Sequence, residues 1–179
     1  HKTSRYEIRR GIKAMESGTL VSDRTHPDLI RNLLVLEQDR ARTQNVSPLG
    51  KAYFKDRLGS AYHFPMVFFD TGGQPQSAVI YSLKGRIATF HYNASTREGK
   101  KRLLNKALLY SAMLQSREKG AQYFVLGNGY ADFDNMKDVT RFKKRMSTHE
   151  AACPVCFIPL SMKGLVMMTG KMIKQMRQR

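Results

Sequence analysis

The run from Ser95 to Gly127 constrains the fold more than any other part of the chain. A strand ending in Tyr92-Asn93 leads through Ser95-Thr96-Arg97-Glu98-Gly99-Lys100-Lys101-Arg102 into an amphipathic stretch. Tyr123-Phe124-Val125-Leu126-Gly127 follows as a short apolar strand. Between them, Leu103, Leu104, Ala107, Leu108, Ser111 and Leu114 recur at helical spacing, which predicts a helix over 101–119 closed by Gly120. Strands joined by a helix are parallel neighbours rather than a hairpin, because the crossover needs a dozen or more residues. The turn is also unusual in charge. Lys100, Lys101 and Arg102 fall where this reading starts the helix. There the dipole is positive and four N–H groups lack partners, so each cation is unfavourable by up to about 1 kcal/mol. An anion, phosphate above all, would offset that cost; a solvated basic helix end is the alternative.

Upstream the pattern is that of a meander. Phe64–Asp70 is a dense apolar strand, Gly72-Gly73-Gln74-Pro75 a turn, Ser77–Leu83 a second strand and Lys84-Gly85 a tight turn. Arg86–Asn93 is the third strand, with Ile87, Thr89, His91 and Asn93 alternating against Ala88, Phe90 and Tyr92. Before the meander, residues 4–17 form a basic helix with Ile8, Ile12 and Met15 inward, and Thr19–Ser22 a short strand. A longer helix begins at His26-Pro27-Asp28 and runs to about Arg42, with Leu29, Leu33, Val35 and Leu36 on its buried side. Another covers Pro48–Leu58. After the parallel strand, Asn135–Met146 is a helix with Met136, Val139, Phe142 and Met146 inward and Lys137, Arg141, Lys143, Lys144 and Arg145 outward. Ala151–Leu160 is the last strand.

Charge narrows the partner. The 179 residues suffice for one domain with a real core, and 41% apolar residues exclude a disordered chain. Lys and Arg number 31 against 14 acids, a net +17, which suits nucleic acid, an anionic membrane face or a phosphorylated donor. Cys153 and Cys156 form a lone C-x-x-C without the further ligands that a zinc site needs, so no metal is expected. Their flanks read as a strand, and two small buried thiols suit a cytoplasmic protein. No signal peptide or membrane-spanning run is visible. His1 is not a natural first residue, so the chain is expected to be a piece of a longer one.

Helix, helix, three-strand meander, basic turn, helix, strand, helix, strand: this order resembles the GNAT acyltransferase fold, and more narrowly its FemAB/FemX-like branch. Three pieces carry the likeness. Arg9-Arg10-Gly11-Ile12-Lys13-Ala14-Met15-Glu16-Ser17-Gly18 resembles the opening helix of such domains. Leu104-Asn105-Lys106-Ala107-Leu108-Leu109-Tyr110 with Tyr123–Gly127 resembles their central helix and following strand. Arg141-Phe142-Lys143-Lys144-Arg145, then Glu150, resembles their closing R-F-K motif, although Met146-Ser147 replaces its aromatic-glycine pair. The likeness covers about residues 5–160, one GNAT-like domain of the second-half type. Residues 161–179 are left as a basic helical tail.

The resemblance implies an α/β (α+β) mixed sheet: an antiparallel three-strand meander, a central helix and a splayed parallel strand pair. It implies an N-acyltransferase that moves an acyl group to an amine in cell-envelope, lipid or polysaccharide modification. The donor would be aminoacyl-tRNA or acyl-CoA rather than a tightly bound cofactor. It lies in the splay between Ala88–Asn93 and Tyr123–Gly127, its phosphates on Arg97–Arg102. Tyr92, Asn93, Arg97, Gly99, Lys100, Lys101, Arg102, Gly127 and Asn128 are thus the expected donor contacts, with His91 and Tyr130 the candidate catalytic groups. Only one glycine marks the turn, short of the usual Q/R-x-x-G-x-G/A loop, which weakens acetyl-CoA and leaves tRNA in play. A second GNAT-like domain and a lipid- or glycan-linked acceptor are the further partners implied. The tail carries Lys163, Lys171, Lys174, Arg177 and Arg179 and no acid, with Leu165, Met168, Met172 and Met176 at helical spacing. It reads either as a membrane-surface helix or as one packing its methionines on a domain. A non-catalytic basic module that binds RNA or an anionic membrane is the competing function.

Overall fold

A computed structural model describes residues 2–127 and 137–149. By its internal contacts the chain divides into His1–Thr148, which holds the sheet, and His149–Arg179. The elements are α1 (Lys2–Met15), β1 (Thr19–Val21), α2 (Leu29–Gln44), α3 (Lys51–Gly59), β2 (His63–Phe69), β3 (Pro75–Lys84) and β4 (Ile87–Ser95). They continue with α4 (Arg97–Lys101), α5 (Leu104–Glu118), β5 (Tyr123–Val125) and α6 (Lys137–Met146). The five strands form one sheet in sequence order; β1 to β4 are antiparallel and β5 is parallel to β4. The meander and the parallel strand are where the hydrophobic pattern places them.

Helices cover both faces. Leu29, Leu33 and Leu36 of α2 and Phe54 of α3 pack on Val67, Phe69, Ala78, Ile80, Tyr92 and Ala94. On the other face Leu108, Leu109 and Ala112 of α5 pack on Met66, Val79, Tyr81 and Ala88, with Met15 of α1 and Phe142 and Met146 of α6 at the margin. Two expected inward residues point out: Val35 and Ile12 are exposed. On α2 the buried face includes Glu37, which accepts from Arg40 Nε (2.7 Å), Arg40 Nη2 (2.6 Å) and the Leu49 amide (2.7 Å). On α1 it is Gly11 that faces inward. A Cβ there would stand 2.6 Å from the Leu103 carbonyl oxygen and 2.8 Å from Ala107 Cβ, so α1 approaches α5 too closely for any side chain.

The helix expected over 101–119 is two helices. Thr96 Oγ1 accepts from the Gly99 amide (2.9 Å) and starts α4 a turn earlier. Leu103, in the left-handed region at φ 62, then breaks the chain before α5. Lys100 and Lys101 therefore lie in the last turn of α4, where the dipole favours cations, and not at a helix start.

Candidate functional site

The site is defined by what happens along β4. Its first three residues pair with β5: Ile87 with Tyr123, Ala88 with Phe124 and Thr89 with Val125. From Phe90 to Ser95 the strand continues against β3, while β5 has ended. Among the described residues no strand covers that outer edge. The gap thus opens at Phe90 rather than at Ala88, because Ala88 and Thr89 are still hydrogen-bonded within the parallel pair.

A β-bulge lies one residue into the open half. Ile80 pairs with Tyr92 but Tyr81 with Phe90, so His91 is the extra residue. The bulge breaks the alternation that the sequence suggests. Ala88 and Phe90 lie on the α5 face, whereas Tyr92 and Ala94 lie on the α2/α3 face. Tyr92 is consequently core: it is 4% exposed and sits edge-on to Phe54, ring centroids 5.2 Å apart. Burial first, and then the Glu37 carboxylate, push its phenol far above the ordinary range. Asn93 donates from Nδ2 to the Asn105 carbonyl (3.4 Å), tying the open half of β4 to the start of α5.

His91 belongs to a polar cluster on the α3 side of the sheet. Its Nε2 lies 2.7 Å from Ser82 Oγ, and its ring is 5.1 Å from that of His63. Arg57 Nη1 is 3.3 Å from His63 Nε2 and the guanidinium stacks over Tyr53, 5.3 Å from its centroid. Burial lowers the pKa of both histidines, and the Arg57 charge lowers them further, so both are neutral at neutral pH. His63 Nδ1 and Arg57 Nε are buried without a hydrogen-bond partner. His63, Ser82 and Arg57 were missed in the sequence. The signal was available only through register: His63 lies opposite Ser82, which lies opposite Thr89, two residues before the bulge.

The basic turn is held from behind. Gln76, itself the extra residue of a bulge on β3, accepts from the Thr96 amide (3.0 Å) and from Thr96 Oγ1 (2.7 Å). Its amide donates to Asp70 Oδ2 (2.7 Å), and Asp70 Oδ1 accepts from the Gly72 and Gln74 amides, so Asp70 is a turn residue. Gly99 is buried, and a Cβ there would stand 2.4 Å from the Gln76 carbonyl oxygen. Arg97, Lys100 and Lys101 are exposed, with Lys101 3.5 Å from Glu98. Arg102 turns away from them and donates to the Ala14 carbonyl (2.6 Å) and to Ser17 Oγ (2.7 Å), closing the end of α1. Gly127, at φ 78, ends the described part of that region. Asn128, Tyr130, Cys153, Cys156 and the tail lie outside the described residues. Within the described residues no group of three or more His, Cys, Asp or Glu side chains is placed to hold a metal, and no helix is long and apolar enough to cross a membrane. Lys143, expected to point outward, is half-buried, and burial lowers its pKa.

The sheet is mixed, its parallel pair ends beside a bulged strand, and a basic turn follows that strand. The acetyltransferase (GNAT) domain model matches residues 2–143, and the chain belongs to that family. No curated protein matches the sequence. Among solved structures, FemX is similar at a TM-score of 0.66 and 13% identity, over 80% of this chain and 53% of that one. The ribosomal-protein-S18-alanine N-acetyltransferase from Escherichia coli is similar at 0.61 and 15%, over 75% and 79%. The aminoglycoside acetyltransferase meta-AAC0020, from an uncultured soil metagenomic sample and bound to sisomicin, is similar at 0.58 and 12%, over 80% and 97%. At such identities the likeness is one of fold. The chain spans about half the length of the FemX chain.

Proposed function

We propose that this chain transfers an acyl group from a phosphate-bearing donor to an amine. The observation that carries the reading is the open edge of β4 at Phe90–Ser95, with the His91 bulge set into it. An extended donor arm laid along that edge takes the place of a strand, and its carbonyl accepts from an outward backbone N–H. The amine attacks the carbonyl carbon and a C–N bond forms. The bond to the leaving group, a thiol or a ribose hydroxyl, then breaks with its electron pair. The amine loses one proton in the process. Neutral His91 is the group proposed to take it, held in orientation by Ser82. Most of the rate comes from positioning the two reactants. Tyr130 is proposed as a second polar group on the acceptor side, with Gly127 and Asn128 lining the donor and Asn93 fixing the edge.

The turn suits phosphate recognition by side chains more than by backbone. The Gly99 amide is already held by Thr96, so Arg97, Lys100 and Lys101 are left to grip the phosphates, while Gly99 and Arg102 fix the turn. A side-chain grip, together with the +17 charge, favours aminoacyl-tRNA over acyl-CoA and a FemAB-like partner domain. The acceptor is read as a lipid- or glycan-linked amine of the envelope, reached from the cytoplasm at the membrane face. The capped Gly99 amide also supports a second reading, a basic module that binds RNA or an anionic membrane without catalysis.

Thermal-shift and binding measurements with acetyl-CoA, long-chain acyl-CoA, charged tRNA and uncharged tRNA, each at two salt concentrations, separate the readings. Stabilisation by a CoA thioester that survives high salt and is lost on Lys100→Ala/Lys101→Ala marks a CoA donor. A preference for charged over uncharged tRNA marks an aminoacyl donor. Equal binding of every polyanion, lost steeply with salt, overturns acyl transfer in favour of the basic module.

A further inference from the structure

The face of the sheet that carries the α2/α3 core is covered at one end only. At its other end His63, Ser82, Thr89 and Val125 lie side by side across β2 to β5, with Lys84, Ile87 and Tyr123 as the next row. Lys84, Ile87, Tyr123 and Val125 are exposed and His63, Ser82 and Thr89 half-buried, so this end is open to solvent. Arg57 of α3 borders it through His63. Acyl transfer calls on His91 and Ser82 in this cluster and on neither Arg57 nor His63. Yet those two are incompletely bonded, and always in the same sense. A guanidinium can only donate, so Arg57 Nη1 gives its proton to His63 Nε2 at 3.3 Å. The neutral ring then carries its own proton on Nδ1, and that buried N–H has no acceptor. Arg57 Nε is a second buried donor without one. Asp56 acts on His63 through space, but among the described residues no carboxylate lies within ion-pair distance of Arg57. The spot lacks an acceptor that carries negative charge.

Resting on the acyl-transfer reading above, we infer that Arg57 binds a carboxylate of the amine acceptor. The amine then belongs to an amino acid or peptide, free or linked to a carrier, and not to a simple amine. The Nε–Nη2 side of a guanidinium is the fork that a carboxylate takes with two parallel bonds, and Arg57 leaves that side unused. Tyr53, its ring centroid 5.3 Å from the guanidinium carbon, fixes the plane of the fork. His63 stands between this fork and His91, the two imidazole centroids 5.1 Å apart. A dipeptide reaches up to about 7 Å. One whose carboxylate sits on Arg57 therefore brings its amine to His91.

The test compares glycylglycine with glycylglycinamide, which differ only at the carboxylate, as acceptors and as ligands of the full chain. Initial rates are measured with the donor selected by the binding screen, and binding by isothermal titration without donor. Both are repeated on Arg57→Gln and Arg57→Lys, with melting temperatures recorded. Glycylglycine is expected to exceed its amide at least about tenfold in kcat/KM, through KM, and to bind more tightly by a similar factor. The preference falls to about unity in Arg57→Gln and is partly regained in Arg57→Lys, which keeps the charge and loses the fork. If Arg57→Gln melts below the assay temperature, an undiminished preference in Arg57→Lys overturns the assignment. Equal use of the two peptides by the parent, or a preference that survives in Arg57→Gln, overturns the carboxylate site and leaves acyl transfer standing. Binding of glycylglycine that depends on Arg57, without transfer from any donor, overturns acyl transfer and leaves the carboxylate site standing.

Discussion

The two halves of β4 have the same neighbour on one side and opposite circumstances on the other. Ile87–Thr89 is hydrogen-bonded to β3 and to β5; among the described residues Phe90–Ser95 has only β3 as a strand partner. The paired half is ordinary sheet, with Ala88 buried under α5. The open half carries the bulge, shifts Tyr92 and Ala94 to the opposite face, and sets His91 beside Ser82 and His63. The difference teaches that the candidate site comes from interrupted pairing rather than from added residues. One extra residue re-aims a side chain, and one short neighbouring strand leaves backbone groups for a ligand.

The most damaging way to break the comparison is to truncate Tyr92, which the bulge places in the core. Tyr92→Ala empties the space beside Phe54 on the α2/α3 face. Since loss of one large aromatic from a core alone costs about 3–5 kcal/mol, urea unfolding should show at least that loss. A substitution that keeps the bulge isolates chemistry from packing. His91→Gln should leave urea unfolding within about 1 kcal/mol of the parent. It should slow transfer to a primary amine, from the donor selected by the binding screen, by about 100-fold or more. Gly99→Ala probes the turn that follows. Its methyl meets the Gln76 backbone oxygen at 2.4 Å, so a loss of about 1–3 kcal/mol is expected in the same unfolding assay, along with weaker donor binding.

The smallest effect is that of pH. His63 and His91 have folded pKa values below the 6.5 of the free group, so the unfolded chain binds protons more readily. Their contribution to stability is therefore fully present above pH 6.5 and declines as pH falls towards the folded values. Melting temperatures between pH 5 and 8 should fall on the acid side, and less so in His63→Gln/His91→Gln. An equal fall in that variant would mean that other groups carry the pH dependence.

Much of this architecture is legible in the residues, since apolar runs bounded by glycine turns place β2 to β4 and the helix between β4 and β5 makes that pair parallel. What escapes is whatever depends on a third element. The bulge adds one residue within an apolar run, and no local pattern distinguishes Phe90-His91-Tyr92 from plain alternation. The start of α4 depends on Gln76, twenty residues upstream of Thr96, which braces the cap. Apolar periodicity, by contrast, begins only at Leu103. Gly11 rather than Ile12 faces α5 because two backbones meet there, and hydrophobicity does not report close approach. Arg102 reads as one of three adjacent cations, yet it alone finds the end of α1. Of the candidate site, His91 and the basic turn were visible; the partners Ser82, His63 and Arg57 became so only with the register.

Amide hydrogen exchange along β4, with and without acetyl-CoA or charged tRNA, tests the central claim most directly. A donor that occupies the open edge slows exchange at the outward-facing amides of Phe90–Ser95. It leaves Ile87–Thr89, already paired on both sides, unchanged. Protection confined to α4 and the basic turn, or no change in the open half with any donor that binds, would contradict the account.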